Sequence, residues 1–303
     1  MISCCSKLRP ILTSKLALGT VQFGLKYGIA NQTGQTNAAE AKRILELAEQ
    51  HKINCLDTAI TYGNSEQVLG EIGISSRFNV VSKLPPLPSD LFNIESWVNY
   101  QVQESLKRLK VKCLYGLLLH RSENLLGSRG TKLANALEKL QSSGLIKKIG
   151  VSIYAPSELD YATDCLPLNI VQAPLNVVDR RLETSGWLSK LHRDGVEVHT
   201  RSAFLQGILL MHRDDIPVKF EKWATQWDQW AKYLKNFNTS ATAACLSYPL
   251  SLQEVDRVVV GVDNLKQLKE LIEAARLNHS LNEDLFMISE DQRLINPTNW
   301  CKL

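Results

Sequence analysis

Asp57, Tyr62, Lys83 and His120 follow one another in the first half of the chain, and their types could serve proton transfer to an oxygen. A phenol such as Tyr62, with an ordinary pKa near ~10, is a reluctant acid at neutral pH. A neighbouring ammonium favours the phenolate and lowers that pKa. Lys83 supplies such a charge, and Asp57 would hold Lys83 in place and keep it protonated. His120 would orient the oxygen and share in proton transfer. The set suits reduction of a carbonyl, because hydride delivery to carbon builds negative charge on oxygen that a positioned donor must meet. Metal binding is the rival use of these residues, but one His, one Asp and one Lys make no ordinary ligand set, and no metal is expected. Any one of the four could be a helix cap or a solvated surface group. Together they require a common frame.

Short apolar runs alternating with stretches of helical period supply that frame. Leu16 to Leu18 ends at Gly19, Ile53 to Leu56 stops at Asp57, Phe78 to Ser82 stops at Lys83, and Leu114 to Leu119 stops at His120. Further strands are predicted over Ile146 to Val151, Ile170 to Ala173, Val196 to Thr200 and Arg257 to Val260. Between them the spacing predicts helices over 38–52, 65–72, 95–109, 131–143, 157–163, 182–193 and 264–275. Trp223, Trp227 and Trp230 recur at helical spacing in a longer excursion and read as packing residues. Strands alternating with helices imply a parallel sheet, and eight such units imply a closed (β/α)8 TIM barrel, an α/β fold, rather than a doubly wound sheet. No linker or composition break divides residues 1–303, so a single domain is expected. No glycine fingerprint of the G-x-G-x-x-G or G-x-x-x-x-G-K kind is present. In such a barrel the strand ends open onto one mouth, where Asp57, Tyr62, Lys83 and His120 would meet.

Composition narrows the setting. Of 303 residues, 44% are hydrophobic and 22% charged, and the net charge is +4, the balance of a well-cored chain with little to attract nucleic acid. The densest basic cluster, Lys107, Arg108, Lys110 and Lys112, closes a helical pattern, where cations are favoured by the helix dipole. No run approaches the ~18 apolar residues of a membrane helix. Met1 to Ser14 has no apolar core and makes a poor secretory signal. The seven cysteines (Cys4, Cys5, Cys55, Cys113, Cys165, Cys245 and Cys301) are odd in number and lack a C-x-x-C, which suits free thiols in a cytoplasmic protein.

Several stretches carry a resemblance to the aldo-keto reductases. They are LALGTVQFGLKYG (16–28), LDTAITYGNSEQVLG (56–70), VVSKLP (80–85), LLLHR (117–121), IKKIGVSIY (146–154), IVQAPLN (170–176), VHTRSAFLQGILL (198–210) and VVVGVDNLKQLKELI (258–272). The resemblance covers about residues 15–275 and leaves 276–303 as a C-terminal tail. It implies an NAD(P)H-dependent carbonyl reductase on a TIM barrel, with Asp57, Tyr62, Lys83 and His120 as the catalytic tetrad.

The resemblance also implies cofactor contacts. Gly19 and Thr20 would approach the nicotinamide end, and Ser152 and Gln172 would hold its carboxamide, although Ile153 stands where a second partner is usual. Arg201 replaces the usual stacking tyrosine. Ser202, Leu205 and Gly207 would cover the pyrophosphate, and Gly261, Asp263 and Gln267 lie in the loop for the adenosine ribose. Asp263 would repel a 2′-phosphate unless Lys266 or Lys269 offsets it. Family habit leans to NADP(H), with NAD(H) open. Lys26, Tyr27, Arg121 and Trp300 are candidates for a pocket holding a small carbonyl substrate, such as a sugar or another polar compound. The alternatives are a cofactor-binding regulatory or sensor protein with little turnover, and an unrelated barrel hydrolase or lyase. The natural substrate and the oligomeric state are not legible.

Overall fold

The computed structural model describes residues 12–29, 31, 33–74, 77–277 and 287–303, which leaves Cys4 and Cys5 outside. Eight strands, β1 (Leu16–Gly19), β2 (Cys55–Asp57), β3 (Asn79–Leu84), β4 (Leu114–Leu119), β5 (Ile146–Ser152), β6 (Ile170–Pro174), β7 (Glu197–Arg201) and β8 (Arg257–Gly261), close into a barrel in sequence order. Every pairing is parallel, and β1 completes the ring against β8 with Leu16 opposite Val258 and Gly19 opposite Gly261. The expected TIM barrel is present.

The alternation of strand side chains decides what fills the barrel. Ala17, Cys55, Val81, Leu118 and Ile170 form an interior apolar cluster with Tyr115 and Val259 at its edge. Two residues further along their strands, on the same face, stand Gly19, Asp57, Lys83, His120 and Gln172. The catalytic candidates therefore rest on a dry plug. Nearer the start of the strands, Glu197 accepts hydrogen bonds from Tyr115 (2.7 Å) and Lys148 and meets His199 Nε2 at 2.7 Å. Burial alone would raise the Glu197 pKa, but these partners hold it down at about 2. The opposite strand faces pack against the helices in a second, larger apolar layer.

Element ends differ from the sequence reading in informative ways. Asp57 is the last residue of β2 and Lys83 lies inside β3, one residue before its end. A single helix expected over 182–193 is two, Arg181–Thr184 and Trp187–Arg193, separated at Gly186, whose φ of +79° suits glycine. A helix over Ala241–Ser251 was not expected. Ala243 to Leu250 are all buried, so no amphipathic stripe marks it, and it carries Pro249 in its last turn. The tryptophans pack as expected. Trp227 and Trp230 are buried and donate their indole N–H groups to the carbonyls of Phe220 and Leu209, each at 3.0 Å.

One buried carboxylate ties the site to the outer layer. Glu66, in the helix Ser65–Ile72, accepts from Ser82 of β3 and Ser105 of the helix Ile94–Leu109, both at 2.7 Å to Oε1. Its Oε2 takes Arg108 Nη2 at 2.7 Å and Nε at 2.9 Å. Because this helix begins three residues after Tyr62, Glu66 also fixes the loop that carries the phenol. Glu66→Ala should cost ~2–3 kcal/mol, the scale for stranding charge-assisted donors around a lost carboxylate whose arginine is part-exposed. Urea unfolding measures it, and a loss below ~0.5 kcal/mol would refute the tie.

Candidate active site

The centre of the mouth is a buried ion pair. Lys83 Nζ lies 2.7 and 2.8 Å from the two oxygens of Asp57 and donates to the Thr58 carbonyl at 3.0 Å. Gln172 donates from Nε2 to Asp57 Oδ1 at 2.7 Å. Burial is the largest influence and disfavours the Lys83 ammonium, but Asp57 and Tyr62 together offset it and leave the pKa above the usual lysine value. The ammonium sits 5.1 Å from the centre of the Tyr62 ring. His120 meets the same ring edge-on, with centroids 6.1 Å apart, and its Nδ1 is 3.4 Å from Thr61 Oγ1. The structure brings Asp57, Tyr62, Lys83 and His120 together.

Electrostatics refine what each can do. Burial raises the Tyr62 pKa, and the Lys83 charge opposes that rise without cancelling it. The expected lowering by Lys83 is real in sign but smaller than the desolvation of the phenolate. Burial and then the Lys83 charge push His120 down to about 4. At neutral pH the site thus holds a protonated phenol, a neutral imidazole and a permanent ammonium.

Close backbone approaches set the position of Tyr62. A Cβ on Gly24 would fall 1.8 Å from the Tyr62 carbonyl oxygen and 2.7 Å from Ser65 N. Gly63, at φ +55°, faces the Gly24 carbonyl from the other side. Thr20 donates to the Asp57 carbonyl from N (2.9 Å) and Oγ1 (3.0 Å), and Ser65 Oγ donates to the Thr20 carbonyl at 2.8 Å. The loops after β1 and β2 are one clamped unit. Sequence reasoning missed Gly24, which lies within the GLKYG stretch but carries no periodic signal.

The other candidates spread around the rim. Ser152 is buried with Oγ 3.4 Å from Gln172 Oε1. Arg201 donates to the Ile153 carbonyl (2.8 Å) and Ser202 Oγ (3.2 Å), and its guanidinium stacks 4.5 Å over Tyr154. Arg121 lies 5.8 Å from the same ring. Ser202, Leu205 and Gly207 form a loop of positive φ after β7. Tyr27 and Lys26 are exposed, and Tyr27 receives a weak bond from Gln206 at 3.4 Å. Trp300 packs in the C-terminal segment. It is buried, donates to the Leu294 carbonyl at 2.9 Å and meets Phe220 edge-on at 4.7 Å.

At the β1–β8 seam, a Cβ on Gly261 would lie 2.5 Å from the Gln22 amide, whose buried Oε1 has no hydrogen-bond partner. Asp263 accepts from Asn31 (2.9 Å) and Gln267 (3.4 Å). Gln22 and Asn31 are further residues that the sequence reading did not find.

The comparisons agree with this architecture. The profile of the Aldo/keto reductase family matches residues 15–288, and the chain belongs to that family. Its members are oxidoreductases that act on carbonyl compounds, generally with a nicotinamide dinucleotide. The chain is 25% identical to L-galactose dehydrogenase of Arabidopsis thaliana, over 96% of this chain and 95% of that protein. It is also 25% identical to L-glyceraldehyde 3-phosphate reductase of Escherichia coli O157:H7, over 88% of each. A solved aldo-keto reductase from Bacillus halodurans shares the fold with a TM-score of 0.71 at 19% identity, covering 92% of this chain and 95% of that one. No helix among the described residues is long and apolar enough to cross a membrane.

Gly24→Ala tests the clamp. The added methyl must move the Tyr62 backbone, and a displacement of about 1 Å costs on the order of 10²-fold in turnover. Turnover should fall to that extent while the far-UV circular dichroism spectrum stays unchanged. Wild-type turnover would show that the contact does not position Tyr62.

Proposed function

We propose that the chain reduces an aldehyde or ketone to an alcohol, or runs the reverse oxidation, by direct hydride transfer with Tyr62 as the general acid. The observation that carries the reading is the buried Asp57–Lys83 pair beneath Tyr62, with His120 against its ring.

The residues at the mouth fit a nicotinamide dinucleotide. Ser152 and Gln172 offer buried polar atoms for a carboxamide, and the orphaned Gln22 oxygen beside Gly261 awaits a donor. Gly19, Thr20 and Arg201 would border the nicotinamide. Ser202, Leu205 and Gly207 would cover the pyrophosphate, and Gly261, Asp263 and Gln267 would border the adenosine end. When bound, the dinucleotide supplies the hydride. Tyr62 gives its hydroxyl proton to the oxygen as charge develops there. Lys83 then stabilises the phenolate left behind, and Asp57 with Gln172 holds Lys83. Neutral His120 offers a ring N–H to the carbonyl oxygen and so orients it without competing for the proton.

Lys26, Tyr27 and Arg121 border the opening where substrate would enter. Their polarity and the names of the sugar and triose-phosphate relatives support a hydroxylated, polar carbonyl compound. The free thiols of Cys55, Cys113, Cys165, Cys245 and Cys301 fit a cytoplasmic setting. A regulatory protein with little turnover would have no use for so complete an acid assembly.

Tyr62→Phe should leave cofactor binding within about twofold and reduce turnover of a good aldehyde by ~10²-fold or more. Near wild-type turnover would reject Tyr62 as the proton donor.

Reduction needs the phenol protonated, so its rate should hold steady across neutral pH and fall only as pH rises past the elevated Tyr62 pKa. Lys83→Met removes the cation that favours the phenolate. The alkaline fall should then move to still higher pH, and turnover should drop as Asp57 loses its partner. Matching pH profiles for wild type and variant would remove Lys83 from the mechanism.

A further inference from the structure

The loop after β8 is built around negative charge. Asp263 is half-buried and held on both carboxylate oxygens, Oδ1 by Asn31 Nδ2 at 2.9 Å and Oδ2 by Gln267 Nε2 at 3.4 Å. Its backbone is fixed too, because its N–H donates to Gln267 Oε1 at 2.7 Å and its carbonyl accepts from Thr36 Oγ1 at 2.9 Å. The carboxylate cannot swing away.

A second carboxylate closes the neighbouring position. Leu265 N, at the start of the helix Leu265–Arg276, donates to Glu40 Oε1 at 2.6 Å, and Gln267 N donates to Asn264 Oδ1 at 3.0 Å. Helix amides that could receive a phosphate are thereby occupied from within the protein. The cations nearby are paired or exposed. Lys266 is 87% exposed and reaches toward Glu270 at 3.9 Å. Arg43 pairs with the other oxygen of Glu40, and Lys269 is exposed.

We infer that this chain selects NAD(H) over NADP(H), with Asp263 accepting a hydrogen bond from the adenosine ribose hydroxyl and, together with Glu40, repelling a 2′-phosphate. The inference rests on the placement of the adenosine end at this loop. Phosphate sites of such barrels gather after the seventh and eighth strands. An acidic side chain that recognises a ribose hydroxyl, where an arginine would accommodate the phosphate, is an established way to separate the two cofactors. A carboxylate has room for about four donors, so Asp263 retains acceptor capacity beyond Asn31 and Gln267. This geometry argues against the lean to NADP(H) drawn from family habit. Gln22, with its unpartnered oxygen at Gly261, would receive a further donor of the same dinucleotide.

Isothermal titration calorimetry with NADH and with NADPH reads this without turnover. The wild-type protein should bind NADH at least tenfold tighter. Asp263→Asn keeps the shape and the acceptor oxygen but removes the charge, and should tighten NADPH roughly tenfold while NADH stays within about threefold. Glu40→Gln should move NADPH in the same direction. Raising ionic strength should narrow the wild-type gap, because screening weakens the repulsion, and should do so less in Asp263→Asn. NADPH bound as tightly as NADH by the wild type overturns the inference and leaves the reductase reading standing. A gap untouched by both substitutions overturns the roles of Asp263 and Glu40. Binding of neither cofactor overturns the reductase reading, and the inference with it.

Discussion

Lys83 and Asp57 form an ion pair that water does not reach, and the rest of the mouth is arranged to make that pair tolerable. Removing two charges from water costs several kcal/mol per ion, and their attraction offsets the cost only when the remaining donors and acceptors are also satisfied. Thr58 supplies a carbonyl to Lys83 and Gln172 an amide to Asp57, at 3.0 and 2.7 Å. The barrel provides both because its inward faces converge from separate strands. Directly below the pair lies the apolar plug of Ala17, Cys55, Val81, Leu118 and Ile170, which separates the ammonium from the polar cluster around Glu197. The cation therefore acts on what lies above it, and that is Tyr62.

In the proposed reaction this arrangement would make the phenol an acid that keeps its proton until it is needed. Desolvation penalises the phenolate more than Lys83 favours it, so the resting group is neutral. In that reaction the ammonium would contribute most once the proton has left and the negative charge is complete, which is the condition for stabilising the transferred state more than the resting one. The same burial keeps His120 neutral, so the mouth holds two uncharged donors over one fixed cation. Gly24 and Gly63 are part of this economy of position. The loop after β2 comes close enough to the ion pair only because the loop after β1 presents a backbone without a side chain.

How much of this was legible in the sequence follows from the range of each signal. Strands were readable as short apolar runs because they are buried on both faces, and most helices because burial of one face is written into a period of 3.6 residues. Asp57, Tyr62, Lys83 and His120 stood out only as a set, because each alone has ordinary uses but four polar groups at or just past successive strand ends converge on one mouth. The helix Ala241–Ser251 escaped because it is buried on every side and shows no stripe. Nothing in SEQVLGEI marks Glu66, and only the arrival of Ser82, Ser105 and Arg108 from other elements makes it a buried anchor. The burial of Trp300 was hidden for the same reason, since its partner Phe220 is eighty residues away in the chain.

Asp263 shows the limit most clearly. In the sequence it is one acid flanked by Lys266 and Lys269, and the sign of the local field cannot be read from such a mixture. Three-dimensional placement resolves it, because the acid is pinned by Asn31 and Gln267 while Lys266 extends into solvent toward Glu270. A fixed charge acts at full strength on whatever occupies its neighbourhood, whereas a mobile exposed one is screened and must first lose side-chain entropy. The opposing charges are therefore unequal even where their number is not. The preference of a site is set by which of its charges the fold immobilises.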